Sequence, residues 1–138
     1  MPGPIVYLEA PDRTQELLTI KWTLLSAGFR IGSTWHERKT NGWPRFRDHA
    51  SPINVYQMKS CDALIVIRGS SEEGIPGLAM MAGFALARGL EVIWIGRPIG
   101  ALADFNAVLH FNTVEEYRAH VLQQKVPQLP WTAERVAA

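Results

Sequence analysis

The chain has 138 residues, 47% of them hydrophobic, with 14 Lys and Arg against 13 Asp and Glu and a formal net charge of +1. That length suits one domain, the apolar share suits a real core, and the charge total leaves no electrostatic footprint for a long nucleic acid. One cysteine, Cys61, excludes an intrachain disulfide and fits a reducing compartment.

Met-Pro-Gly-Pro at the start leads straight into a strand and carries no signal-peptide pattern. Ile5 to Leu8 is a short continuous apolar run, as in a central parallel strand. Asp12 and Gln15 have capping-box spacing for a helix, and Leu17, Leu18, Leu24 and Leu25 give that helix a buried face up to Gly28. Phe29 to Thr34 reads as a second strand. Residues 35–50 show no clean period. They form a long polar loop that holds Trp35, His36, Arg38, Trp43, Arg45 and Arg47, and loops of this length in compact domains are usually functional. Ser51-Pro52 opens a helix that runs to about Ser60.

Next comes the most informative stretch, Cys61 to Gly96. It reads as a buried strand (Ala63 to Ile67), a glycine-rich loop, a small-residue helix from Pro76 or Gly77 to Gly89, and a second buried strand (Val92 to Ile95). This is a βαβ unit, with its loop at the carboxyl edge of a parallel sheet, where open α/β proteins place ligands. Ala107 to Phe111 is a short fifth strand. Thr113 and Glu116 form a second capping box, opening a last helix through about Gln124 that Pro127 stops. The domain is expected over 1–125, with a tail over 126–138. The longest uncharged apolar run, Ile75 to Ala87, is far short of the about 20 residues of a membrane span, so a soluble, cytoplasmic protein is expected. The expected fold is α/β: a single-domain, doubly wound, mostly parallel sheet of about five strands, flavodoxin-like or Rossmann-like.

In their order, these pieces resemble the nucleoside 2-deoxyribosyltransferase-like family. Ile5-Val-Tyr-Leu-Glu-Ala-Pro11 is similar to the family's first strand and ligand loop. Asn54 to Ile67 is similar to its helix leading into an Asp-plus-apolar strand. Gly77-Leu-Ala-Met-Met-Ala-Gly-Phe-Ala85 is similar to its Gly-Thr-x-x-Glu-x-Gly-Tyr-Ala signature, and Phe105 and Phe111 stand where the family often has phenylalanines. The resemblance implies a transferase or hydrolase that breaks N-glycosidic bonds of nucleosides or nucleotides. It also implies a ligand crevice reached by Tyr7, Glu9, Ala10 and Gly77, and a homo-oligomer. The signature departs at chemically central places. Met81 stands where the family has its nucleophilic glutamate, and a thioether cannot form the glycosyl ester that a carboxylate forms. Leu78 replaces the threonine, and Phe84 the tyrosine.

Glycoside chemistry needs carboxylates, one to attack or stabilise an oxocarbenium-like centre and one to move a proton. Glu73 and Glu72 precede the third helix and are the candidates to replace the missing nucleophile. The alternative for both is a solvated loop acid or a charge favoured by the helix dipole. Glu9 and His36 follow strands at the carboxyl edge, while Asp62 reads as a structural cap. Arg38, Arg45 and Arg47, interleaved with Trp35 and Trp43, suit a phosphate and a stacked base, or a solvated basic loop. Gly69, Gly74 and Gly77 bring backbone N–H groups towards an anion, and Met81 lines the core or a pocket floor. Leu78, Met81, Ala82, Ala85 and Leu86 are candidates for both core and subunit interface. No P-loop, dinucleotide fingerprint or metal-spaced cluster is present, so no metal and no cofactor is expected. The reading is therefore an N-glycosidic hydrolase or transferase for a small nucleoside or nucleoside 5′-monophosphate. One alternative is an inactive member that binds a nucleotide-derived ligand. A second is an assembly protein that keeps the fold alone, for which a closed apolar crevice around Met81 and Phe84 would be the sign.

Overall fold

The structure is a computed structural model and describes residues 3–37, 52–69, 72, 74–100, 102 and 107–130. Five strands form one parallel sheet in the order β2-β1-β3-β4-β5. They are β1 (Ile5–Glu9), β2 (Arg30–Ile31), β3 (Ala63–Gly69), β4 (Glu91–Gly96) and β5 (Val108–Phe111). The helices are α1 (Gln15–Ser26), α2 (Pro52–Lys59), α3 (Ile75–Ala87) and α4 (Val114–Leu122), with a 3-10 turn at Trp35–Glu37. Helix α1 packs against α4, and α2 against α3. This is the expected doubly wound α/β fold, and its switch point lies between β1 and β3.

The central strands are apolar because both of their faces are covered. Val6, Tyr7 and Leu8 of β1, Ala63 to Ile67 of β3 and Val92 to Ile95 of β4 have essentially no exposed surface. Cys61, just ahead of β3, is buried and packs as part of the core. Asp62 is structural, since its carboxylate accepts the Ile5 amide at 2.8 Å.

Several local expectations change. The cap of α1 is Thr14, whose hydroxyl accepts from the Leu17 amide at 3.1 Å. Asp12 instead turns its carboxylate back to the Arg13 amide at 2.7 Å. Strand β2 is two residues long rather than six. Gly32 still donates to the Val6 carbonyl at 2.8 Å, but a Cβ there would lie 2.5 Å from Cys61 Sγ. The chain then leaves the sheet, and side chains continue the pairing with β1. Strand β3 runs two residues beyond Ile67, with a bulge where Gly69 meets Gly96. Thr113 caps α4, accepting from the Glu116 amide at 3.1 Å. Glu116 returns a bond to the Asn112 amide at 3.0 Å, so the capping box closes one residue early.

Helix α3 starts at Ile75 behind Gly74, which is left-handed at φ 72°. Leu78, Met81, Ala82 and Ala85 are consumed by the core of the single chain. The large apolar side chains that α3 presents outward are Met80 and Phe84, not the set expected to serve core and interface together. Beyond α4 the chain folds back on the domain. Gln124 exchanges two bonds with the Gln128 backbone, Pro127 lies over Gly28, and Leu129 is buried. Among the described residues, no helix is long and apolar enough to cross a membrane.

Candidate functional site

Two regions at the carboxyl edge of the sheet carry polar chemistry. The first is the end of β1, at the switch point. Leu8 donates its amide to Ser33 Oγ at 3.0 Å, and its carbonyl accepts the Trp35 indole N–H at 2.7 Å. Ser33 Oγ also lies 2.9 Å from His36 Nε2. His36 is thus a fully buried group in a polar chain. Its ring meets Trp35 edge-on at 5.4 Å. Glu9 is fully buried too, with Oε1 accepting the Ala10 amide at 3.1 Å. A carboxylate withdrawn from water needs such bonds to remain tolerable.

The second region is an open cleft of about 460 Å³ between the ends of β3 and β4 and the starts of α1 and α4. Glu16, Arg68, Gly69, Glu72, Arg97 and Glu115 line it, together with Gly96 and Asn112 to Val114. Arg68 is 5% exposed. A buried guanidinium is costly unless its N–H groups are bonded. One of its nitrogens donates to the Arg97 carbonyl at 2.7 Å and to the Pro98 carbonyl at 3.4 Å. Its other terminal nitrogen faces Glu72 Oε2 at 3.4 Å. The Arg97 guanidinium pairs with Glu72 Oε1. Glu72 is therefore clamped by two cations, although its side chain is 69% exposed.

Close backbone approach makes this cleft possible. Gly69 (φ 61°) and Gly96 (φ 113°) sit face to face. A Cβ on Gly96 would lie 2.9 Å from both the Gly69 nitrogen and oxygen, and one on Gly69 would strike the Glu16 carboxylate. Both angles belong to the left-handed region that favours glycine.

Of the residues expected from the sequence, Gly69 and Glu72 meet in this cleft. Tyr7, Glu9, Ala10, His36 and Met81 are fully buried and Trp35 nearly so, and none of them lines it. Met81 is a core residue. Gly77 is half-buried in the first turn of α3. Glu73, Arg38, Trp43, Arg45, Arg47, Phe105 and the tail beyond Pro130 lie outside the described residues. Sequence reasoning missed Arg68 and Arg97. Their signal was present as Arg-Gly and Gly-Arg at the ends of two adjacent apolar runs, which a parallel sheet brings side by side. Among the described residues, no group of three or more His, Cys, Asp or Glu is placed to hold a metal ion.

No family model matches the sequence, and no curated protein matches it at a significant level. Among solved structures, the fold is similar to that of the Clostridium botulinum CMP N-glycosidase BcmB. The TM-score is 0.57 and the identity 19%, covering 85% of this chain and 97% of that one. At this identity the likeness is one of fold.

Proposed function

We propose that the protein acts on the N-glycosidic bond of a nucleoside or nucleoside 5′-monophosphate, as a hydrolase or a transferase. The observation that carries this reading is the likeness over nearly the whole length of both chains to a protein described as a CMP N-glycosidase. In hydrolysis the bond from C1′ to the base nitrogen breaks, a water oxygen bonds to C1′, and the base leaves with a proton. A carboxylate stabilises or attacks the oxocarbenium-like centre. Glu72 and Glu73 are the proposed carboxylates. Tyr7, Glu9, Ala10, Trp35, His36, Arg47, Gly69, Gly77 and Met81 remain the proposed ligand set. The full reading includes a homo-oligomer, on the strength of the family resemblance.

A second reading, a member that binds a nucleotide-derived ligand without turning it over, is favoured by two observations. Met81 is buried in the core, and Glu72 is held by two guanidiniums. The assembly-protein alternative lacks its expected sign, because Met81 is fully buried while Phe84 is exposed, and the two do not wall one closed crevice.

The test is chromatography for free base after long incubation with nucleosides and their 5′-monophosphates. Release that is lost in Glu72→Ala or Glu73→Ala supports the enzyme. No release from any member at high protein concentration removes hydrolysis of those substrates and leaves the binding reading and transfer to an acceptor the assay does not contain.

A further inference from the structure

We propose that the cleft at the ends of β3 and β4 is a phosphomonoester site, and that Glu72 is the internal counter-ion a phosphate displaces from it. The proposal rests on the function above only for what the phosphate is attached to.

Arg68 and Arg97 come from neighbouring strand ends and converge on one carboxylate, each giving it one terminal nitrogen. That is the donor arrangement that holds two oxygens of a phosphate. Arg68 is anchored from behind by the Arg97 and Pro98 carbonyls, so its other terminal nitrogen is aimed at the Glu72 carboxylate before any ligand arrives. The α4 N-terminus borders the same cleft. There Thr113 satisfies the Glu116 amide, while the Val114 and Glu115 amides belong to the first turn, whose N–H groups have no partner inside a helix. Glu72 belongs to the β3–α3 connection and has most of its side chain in water. Moving it out breaks two ion pairs, one with the exposed Arg97 and one with the buried Arg68, and hands both guanidiniums to the incoming phosphate. A phosphate dianion returns more charge and a third oxygen to the same donors.

The other lining groups set the ligand class. Glu16 and Glu115 oppose a polyanion and are suited to accept from hydroxyl groups, as on a sugar. The volume of about 460 Å³ lies within the range of small-ligand pockets. A sugar bearing a single phosphate fits that pattern better than a pyrophosphate. Its arrival frees the Glu72 carboxylate from both guanidiniums, so phosphate recognition and carboxylate release become one event.

The test is calorimetric titration of the full chain at pH 8 with inorganic phosphate and, separately, with ribose 5-phosphate. Saturable binding is expected for the wild type. Glu72→Gln should tighten it about three- to fivefold, because the competing carboxylate is gone. Arg97→Gln should weaken it about tenfold. Arg97 is exposed, so its variant keeps the fold, which far-UV circular dichroism checks. Absence of saturable binding, unchanged or weaker binding in Glu72→Gln, or unchanged binding in Arg97→Gln overturns the proposal. Tighter binding of ribose 5-phosphate assigns the site to a sugar phosphate, and equal binding assigns it to free phosphate; both outcomes uphold the anion site. None of these readouts requires turnover, so a negative base-release assay leaves them intact.

Discussion

The indole N–H of Trp35 donates to the main-chain carbonyl of Leu8 at 2.7 Å, in a place where a longer β2 would have placed a backbone amide. Ser33 does the complementary work, accepting the Leu8 amide at 3.0 Å. Two side chains thus complete the edge of β1 after β2 has ended. Trp35→Phe keeps the ring and removes the donor. Leu8 is fully buried, so its carbonyl would lose a partner at a cost of about 1–3 kcal/mol. Urea unfolding should show a lower midpoint with an unchanged slope. An unchanged midpoint would mean the bond contributes nothing.

The Gly69–Gly96 approach should tolerate no side chain at position 96. A Cβ there meets backbone atoms, which cannot swing away as a flexible side chain can, and φ 113° is itself strained for alanine. Gly96→Ala should lower stability by about 1–3 kcal/mol. Gly83, where a Cβ would meet nothing within 4 Å, provides the control. It lies in the exposed face of α3, and Gly83→Ala should leave stability unchanged or raise it by about 1 kcal/mol. Thermal unfolding of both variants distinguishes a local close approach from a general effect of losing a glycine.

Alkali should destabilise the fold through two buried acids. Burial, and then Asp62, push the Cys61 thiol from 9.0 up to about 12. Burial, and then Glu91, push the Tyr117 hydroxyl well above its usual value. The unfolded chain loses these protons at lower pH than the folded one. Their contribution is therefore complete below about pH 9 and falls as pH rises from there. Cys61→Ala and Tyr117→Phe should each flatten the decline in unfolding free energy between pH 9 and 11. The same burial predicts that Cys61 resists thiol-directed alkylation in the native protein at pH 8 and reacts once denatured. Rapid native labelling would contradict both statements.

Acid should act through His120. Its ring lies 5.3 Å from Phe111 and stacks on Tyr117 at 6.2 Å, and loss of hydration lowers its pKa below 6.5. The unfolded chain takes up this proton first. The contribution is present above about pH 6.5 and is lost as pH falls through the lowered value. A stability profile between pH 5 and 7 should slope less for His120→Gln than for the wild type. Parallel profiles would remove His120 as the cause.

Sequence patterning reached the elements well and the site only in part. The runs at Ile5, Ala63 and Val92 are apolar on both faces, and that alone marks central parallel strands. Thr113 announced its helix through hydroxyl spacing. Phe29 to Thr34 looks extended along its whole length, whereas beyond Gly32 the Ser33 and Trp35 side chains take over the pairing with β1. His36 falls in a stretch without a period, and only the third dimension shows it buried with Ser33 beside it. Glu72 was visible as an acid ahead of α3. Its pairing with Arg97 was not, since that residue is 25 positions away.

Local chemistry written in the chain therefore determined the strands, the helix caps, the alternation that forces a parallel sheet, and the glycine-rich turn at its carboxyl edge. These depend on neighbours a few residues apart, on hydroxyl and glycine positions and on apolar periodicity. Tertiary structure decided which charges meet. Arg68, Glu72 and Arg97 converge because β3 and β4 lie side by side with Gly69 against Gly96. Met81 is hidden because its face of α3 turns inward. Such pairings are set by strand order and close packing, which no short-range pattern encodes.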